Sequence, residues 1–212
     1  MGNGLALVVL IVLMMTGRRR SPPSYDGMTA QTAAVVWPVP SYIAPDGRIY
    51  DATVSSGMDS TRGDRPHRGM DVMFKRRTPA DRADEPPDVP GADGFTSTRG
   101  YFAPVDTPIL AVKKGTVWSV EERTDGGGWS IVVDHGKPWA TYYTHVRIPT
   151  VIKGTPLEAG DMLGLMGGNM ADTSRVRHLH FEVWYNGHGA DASVDAYGDN
   201  IMNGWRRDPW QP

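Results

Sequence analysis

Six histidines stand in this chain of 212 residues, and several have neighbours at spacings that could do chemistry. His178-Leu179-His180 sets two imidazoles two residues apart. His67-Arg-Gly-Met-Asp71 sets an imidazole and a carboxylate four apart, and Tyr143-Thr-His145 adds a further ring. Residues i and i+2 of a strand share a face. The run from Arg177 to Tyr185 alternates and is rich in aromatic and branched side chains, so it reads as a strand. His178 and His180 then look into one site, while Leu179 and Phe181 face away. Zinc in a catalytic site takes three protein ligands and leaves one position for water. His67 and Asp71 supply two if the Gly69 bend turns both inward, and one of the His178/His180 pair supplies the third. The other member of that pair, with His145, is left for proton handling or for holding a developing oxyanion. Zinc lowers the pKa of its bound water from about 15.7 to about 7, which makes hydroxide available at neutral pH. H-x-H or H-x-x-x-D alone is a weak motif, so the surrounding elements carry the weight.

Those elements are strands. Short apolar runs are separated by Gly, Pro and Asp turns, and helical periodicity is scarce after the N-terminus. The expected strands are 109–112, 116–121, 130–133, 139–145 and 178–185, with Asp125-Gly-Gly-Gly128 as a hairpin turn between two of them. At 40% hydrophobic residues the chain can bury one sizeable core. Cysteine is absent, which excludes disulfides, Cys-based zinc fingers and a thiol nucleophile. A net charge of −2 gives no basic face for nucleic acid. A glycosidase would need paired carboxylates across a sugar groove, and no such pair stands out.

The other candidate groups divide. His135, closing a Val-rich strand, reads as structural, and His188 in Asn186-Gly-His-Gly189 reads as solvated. Glu182 shares the parity of His178 and His180, so it either orients an imidazole or forms an ordinary cross-strand ion pair. Asp134 is near the site in sequence. Arg62 and Arg65 precede His67 and would either bind a substrate carboxylate or sit solvated in a loop.

The chain resembles the M23 family of zinc peptidases, the lysostaphin and LytM-like endopeptidases. The matching text includes Trp37-Pro38-Val39, His67-Arg-Gly-Met-Asp71, Thr107-Pro-Ile-Leu-Ala-Val112, Gly115-Thr-Val117 and Gly128-Trp-Ser-Ile-Val-Val-Asp-His-Gly136. It continues through Thr141-Tyr-Tyr-Thr-His145, Gly160-Asp-Met-Leu-Gly164, Gly167 and His178-Leu-His-Phe-Glu182 in the family's order. The resemblance implies an antiparallel β-sandwich or half-open barrel with a lipoyl-like hairpin turn at 160–164. It implies one Zn2+ held by His67, Asp71 and His180, with His145 and His178 as the catalytic histidines. It also implies hydrolysis of a peptide bond in bacterial peptidoglycan, outside the cell or in its envelope. The alternative is a non-catalytic binding or structural module of a phage tail or envelope complex, but such members usually lose ligands and here every position is filled.

Two segments depart from that pattern. Residues 1–20 hold the apolar run Leu5–Met15 followed by Arg18-Arg-Arg20, expected to form an N-terminal hydrophobic helix. The run is shorter than the roughly 17 residues a spanning helix needs. As a span it would leave the arginines and all that follows in the cytoplasm. The two resolutions are an atypical export signal or anchor in contact with membrane, and an assembly segment that packs against phage tail or envelope proteins in a virion. Residues 21–34 read as a linker, which places the peptidase domain at 35–212. Between Asp71 and Thr107 a charged, Pro-rich insertion at about 75–100 replaces a short connection. Loops this long inside a domain are functional or disordered, and this one is expected beside the groove, as a substrate wall, a partner contact or a plain mobile loop.

Overall fold

The computed structural model describes residues 25–26, 35–44, 47–58, 60–62, 65–75, 101–104, 106–167 and 177–194. The hydrophobic segment 1–20 and the insertion from 76 to 100 lie outside the described residues. Sixteen strands are found among the described residues. A small sheet is made by β1 (Tyr25–Asp26), β2 (Ser41–Ile43) and β3 (Ile49–Tyr50). Tyr25 pairs with Tyr42, so the stretch expected as linker contributes a short strand. β5 (Thr61–Arg62) and β6 (Arg65–Pro66) form a separate hairpin just ahead of His67.

The main sheet holds β4 (Ala52–Ser56), β7 (Met70–Lys75), β8 (Tyr101–Phe102), β9 (Pro108–Leu110), β10 (Gly115–Glu122) and β11 (Trp129–Asp134). It also holds β12 (Trp139–Pro149), β13 (Pro156–Leu157), β14 (Met162–Met166), β15 (Leu179–Tyr185) and β16 (Ser193–Val194). The order along it is β13-β10-β11-β12-β15-β7-β4, with every pairing antiparallel. The five strands expected from sequence are all present. Among the described residues the only helical element is a single 3-10 turn at Ala190–Ala192. No described helix is long and apolar enough to cross a membrane.

Alternation puts Val72, Phe74, Ile131, Tyr143, Leu179 and Phe181 on the covered face, where each is essentially inaccessible to water. Two polar residues are tied into this core. Tyr143 Oη accepts from Val112 N at 3.0 Å and meets Thr141 Oγ1 at 3.1 Å, and Thr141 in turn meets His135 Nε2 at 2.7 Å. Burial pushes the Tyr143 phenol up from its ordinary value against the opposing hydrogen bonds of Thr141 and Val112, and burial likewise pushes His135 down. His135 is thereby the structural histidine its sequence position suggested.

The longest strand, β12, serves two sets of partners. Trp139 to Thr144 lie between β11 and β15, whereas Val146 to Pro149 pair with β14. The change of partner falls at His145, whose φ is 66°. A non-glycine residue in that region is uncommon and marks a bend that the surroundings enforce. The insertion begins and ends on one spot, because Lys75 pairs with Tyr101 and Phe74 with Phe102.

Candidate metal centre and its groove

Register assembles the centre. β7 lies against β15 with Asp71 opposite His180, and β12 lies on the other side with Thr144 opposite His180. Period-2 alternation then places Asp71, His180, Thr144 and Ser130 in one row across the face that opposes the core. His67 reaches the same row from the turn before β7. That turn needs Gly69, because a Cβ there would stand 2.4 Å from the Phe181 carbonyl oxygen and 2.7 Å from Glu182 Cγ.

The three side chains converge closely. His67 Nε2 is 2.8 Å from His180 Nδ1 and 3.1 Å from Asp71 Oδ1, and His180 Nδ1 is 3.2 Å from Asp71 Oδ1. Each ring is held from behind. His67 Nδ1–H donates to the Gly57 carbonyl at 2.9 Å, and His180 Nε2–H donates to Glu182 Oε1 at 2.9 Å. Glu182 is fixed through its other oxygen, which accepts from Trp184 Nε1–H at 2.7 Å and from the Ser193 hydroxyl. With the outer nitrogens used as donors, both rings aim lone pairs inward at a carboxylate oxygen. Three lone-pair donors facing one point are what a cation needs, and a carboxylate behind a ligating imidazole is the usual support for one. The cluster His67, Asp71 and His180 can hold a metal ion.

The same carboxylate oxygen can instead accept protons from these rings: burial alone would raise the Asp71 carboxyl, but hydrogen bonds from His180 and His67 then hold it far below the usual carboxylate range. Burial opposes protonation of His180, yet the Asp71 and Glu182 carboxylates outweigh it and raise that ring. Glu182 is likewise depressed, with desolvation overcome by His180, Ser193 and Trp184.

The other two sequence-predicted histidines stand beside this cluster. His178 Nε2 is 3.8 Å from Asp71 Oδ1, further than His180, and its ring centroid lies 4.5 Å from that of His145. His145 Nδ1–H donates to the Gly127 carbonyl at 3.0 Å, which leaves Nε2 with the lone pair. Burial, reinforced by His178, lowers His145 to about 3, so this ring stays neutral across the ordinary pH range. Gly127 is held in turn: its N–H donates to Asp125 Oδ1 at 3.0 Å, and Asp125 is paired with Arg123. Arg123 also donates to Tyr142 Oη at 2.8 Å.

Some candidates fall elsewhere. Asp134 accepts from Gly136 N at a strand end away from the centre. His188 is exposed in its Gly-rich turn, as expected, and its ring stacks on Trp118 at 4.5 Å. Arg62 and Arg65 lie opposite one another in the β5–β6 hairpin. Sequence reading did not single out Trp184, Thr144 or Arg123. Trp184 continues the parity of His180 and Glu182 and was legible from that alternation. The Arg123 and Gly127 contacts depend on how a hairpin folds over and had no local cue.

Residues 96–192 match the model of Peptidase family M23. That match starts beyond His67 and Asp71, which enter the site through the pairing of β7 with β15. Among curated proteins, the peptidoglycan DD-endopeptidase ShyB of Vibrio cholerae serotype O1 is 27% identical over 161 residues, covering 73% of this chain and 34% of that protein. ShyC of the same organism, also a peptidoglycan DD-endopeptidase, is 34% identical over 89 residues, covering 41% of this chain and 19% of its own length. The alignments thus span about a fifth to a third of those relatives. In three dimensions the antimicrobial peptidase lysostaphin from Staphylococcus simulans shares the fold at a TM-score of 0.50 and 19% identity, over 77% of this chain and 55% of that one.

Proposed function

We propose that this chain is a zinc-dependent endopeptidase that hydrolyses peptide bonds in bacterial peptidoglycan, with His67, Asp71 and His180 as zinc ligands and His145 and His178 as the catalytic histidines. The observation that carries it is the convergence of His67 Nε2 and Asp71 Oδ1, both buried, with half-buried His180 Nδ1, beside two further imidazoles. Two neutral imidazoles and one carboxylate are a donor set that suits zinc, and curated relatives of the domain are named metalloproteases or peptidoglycan endopeptidases. Zinc, when bound, supplies Lewis acidity that lets water ionise near neutral pH and polarises a carbonyl.

The chain's own groups do the rest. His145, neutral and with Nε2 free of the Gly127 contact, accepts a proton from the attacking water. The water oxygen adds to the scissile carbonyl carbon, and His178 beside it is placed to donate to the developing oxyanion. The C–N bond then breaks as the amine takes a proton from imidazolium. Asp71 and Glu182 keep His180 fixed throughout. The hydrogen bond from His145 to Gly127 sets its tautomer, which supports reading it as the proton acceptor.

Incubating purified peptidoglycan with the protein and identifying fragments by mass spectrometry tests this, beside His180→Ala and a chelated sample. New amino termini from the wild type only, with one zinc per chain by elemental analysis, are expected. A folded, zinc-loaded protein that releases none overturns it. The place of action on this reading is the cell envelope. Delivery in a virion through residues 1–20 is a further part of the reading, supported by the arginines that follow the apolar run. Finding the intact Met1 terminus in purified phage particles tests it, and only a shortened chain in culture medium rejects it.

A further inference from the structure

The groove does not end at the metal centre. A cavity of about 470 Å³ lies over His67, His145 and His180. A second, of about 500 Å³, lies beyond it and ends at Trp118. The two share Arg123, Tyr142, Trp184 and Gly189 as lining, so they form one continuous trough.

Rings line the trough along its length. Tyr142 stacks on Trp184 at 5.2 Å, Trp184 lies 6.4 Å from His188, and His188 stacks on Trp118 at 4.5 Å. Trp118 is 45% exposed. It is placed by a β-bulge: Val117 faces Val133 and Ser119 faces Val132, so Trp118 is the extra residue of β10. Bulges re-aim side chains, and they are frequent next to active sites.

We infer that the Trp118–His188 end of the groove is a glycan subsite, which seats an N-acetylhexosamine ring of the strand whose stem peptide lies across the metal centre. The inference rests on the peptidase reading above. Length supports it. From β15 to β10 there are three strand spacings, about 14 Å, and Trp118 stands three residues, about 10 Å, along β10 from Glu121, which shares the His180 row. The diagonal of about 17 Å is about five residues of extended peptide. A short stem peptide with its scissile bond at His180 therefore delivers its sugar-bearing end to Trp118.

Chemistry supports it as well. Aromatic surface packs against the C–H face of a sugar, and the hydroxyls need polar partners around it. Ser119, Glu121 and Glu122 line the same cavity, and the Lys153 ammonium stands 5.9 Å from the Trp118 ring centroid on a flexible stem. A sugar ring either displaces Lys153 or hydrogen-bonds to it. With Asp125 paired to Arg123, Glu121 and Glu122 leave the rim acidic, which suits a neutral polyhydroxylated ring better than further acidic peptide.

The test compares two substrates of the same cross-linked peptide, one carrying its disaccharide and one stripped of it. The wild type is expected to favour the sugar-bearing form by about tenfold in kcat/KM. Trp118→Ala brings that ratio near one, and Trp118→Tyr keeps most of it. Saturation-transfer NMR with peptide-free glycan oligomers reads the subsite directly, with signal in wild type and none in Trp118→Ala. A wild-type ratio of one without glycan binding overturns the inference. So does a Trp118→Ala loss that is equal on both substrates, which would make this a peptide subsite. If the wild type cuts neither substrate, the peptidase reading fails, and the NMR titration still decides the glycan subsite.

Discussion

The two halves of the centre are built differently. Asp71 and His180 are placed by strand register and His67 by the turn before β7; His67 and Asp71 are buried, His180 is half-buried, and both rings are braced from behind. His145 is placed by a bend at positive φ and by one carbonyl in a hairpin that Arg123 and Asp125 hold together. The first half repeats the regular hydrogen bonding of the sheet, so displacing it means breaking the sheet. The second half departs from that regularity and leans on a loop, so it can be disturbed while the fold survives. The metal-binding and proton-handling parts of one site should therefore separate under mutation.

The largest effects should come from the register-built half. Asp71→Ala or His180→Ala should abolish metal retention, measured by elemental analysis, and lower hydrolysis on the order of a thousandfold or more. His145→Ala should keep its metal and still lose about 10² to 10⁴ in kcat. If it loses metal too, the division between the halves is wrong. Glu182→Gln keeps the shape behind His180 but weakens the acceptor, so metal affinity should fall about 10- to 100-fold in a competition titration. Gly69→Ala adds a methyl where the Phe181 carbonyl leaves no room. Its midpoint of unfolding should drop by the equivalent of about 1–3 kcal/mol, and unchanged stability would show that the turn can shift.

The smallest effect is a pH slope. His145 titrates near 3 when folded and at 6.5 ordinarily, because burial and then His178 oppose its charge. Between those values the unfolded chain binds the proton and the folded one does not. Stability is therefore full above about pH 6.5 and falls as pH drops toward 3. Denaturant unfolding of metal-free His145→Gln at stepped pH should show a shallower loss across that window than wild type. Equal slopes would mean that the ring is already open to water.

Parity carried much of the sequence reading. The alternation from His178 to Tyr185 put His178, His180 and Glu182 on one face, and the Gly, Pro and Asp turns marked the strands between which they stand. Those features are local, with a period that the backbone fixes. The His135 reading also survived, since a ring at the end of a buried strand finds backbone and hydroxyl partners. The His188 reading held for its exposure, but the ring it stacks on, Trp118, lies far away in the chain and had no local cue.

The amino-acid sequence by itself determined the kinds of donor available, their shared strand faces and the all-β architecture. Only the tertiary structure decided which of His178 and His180 stands closer to Asp71, that the Gly57 and Gly127 carbonyls orient His67 and His145, and that the groove runs on to Trp118. Alternation along a strand is written in the chain, whereas register between strands and the reach of a hairpin are set by contacts between residues far apart in it.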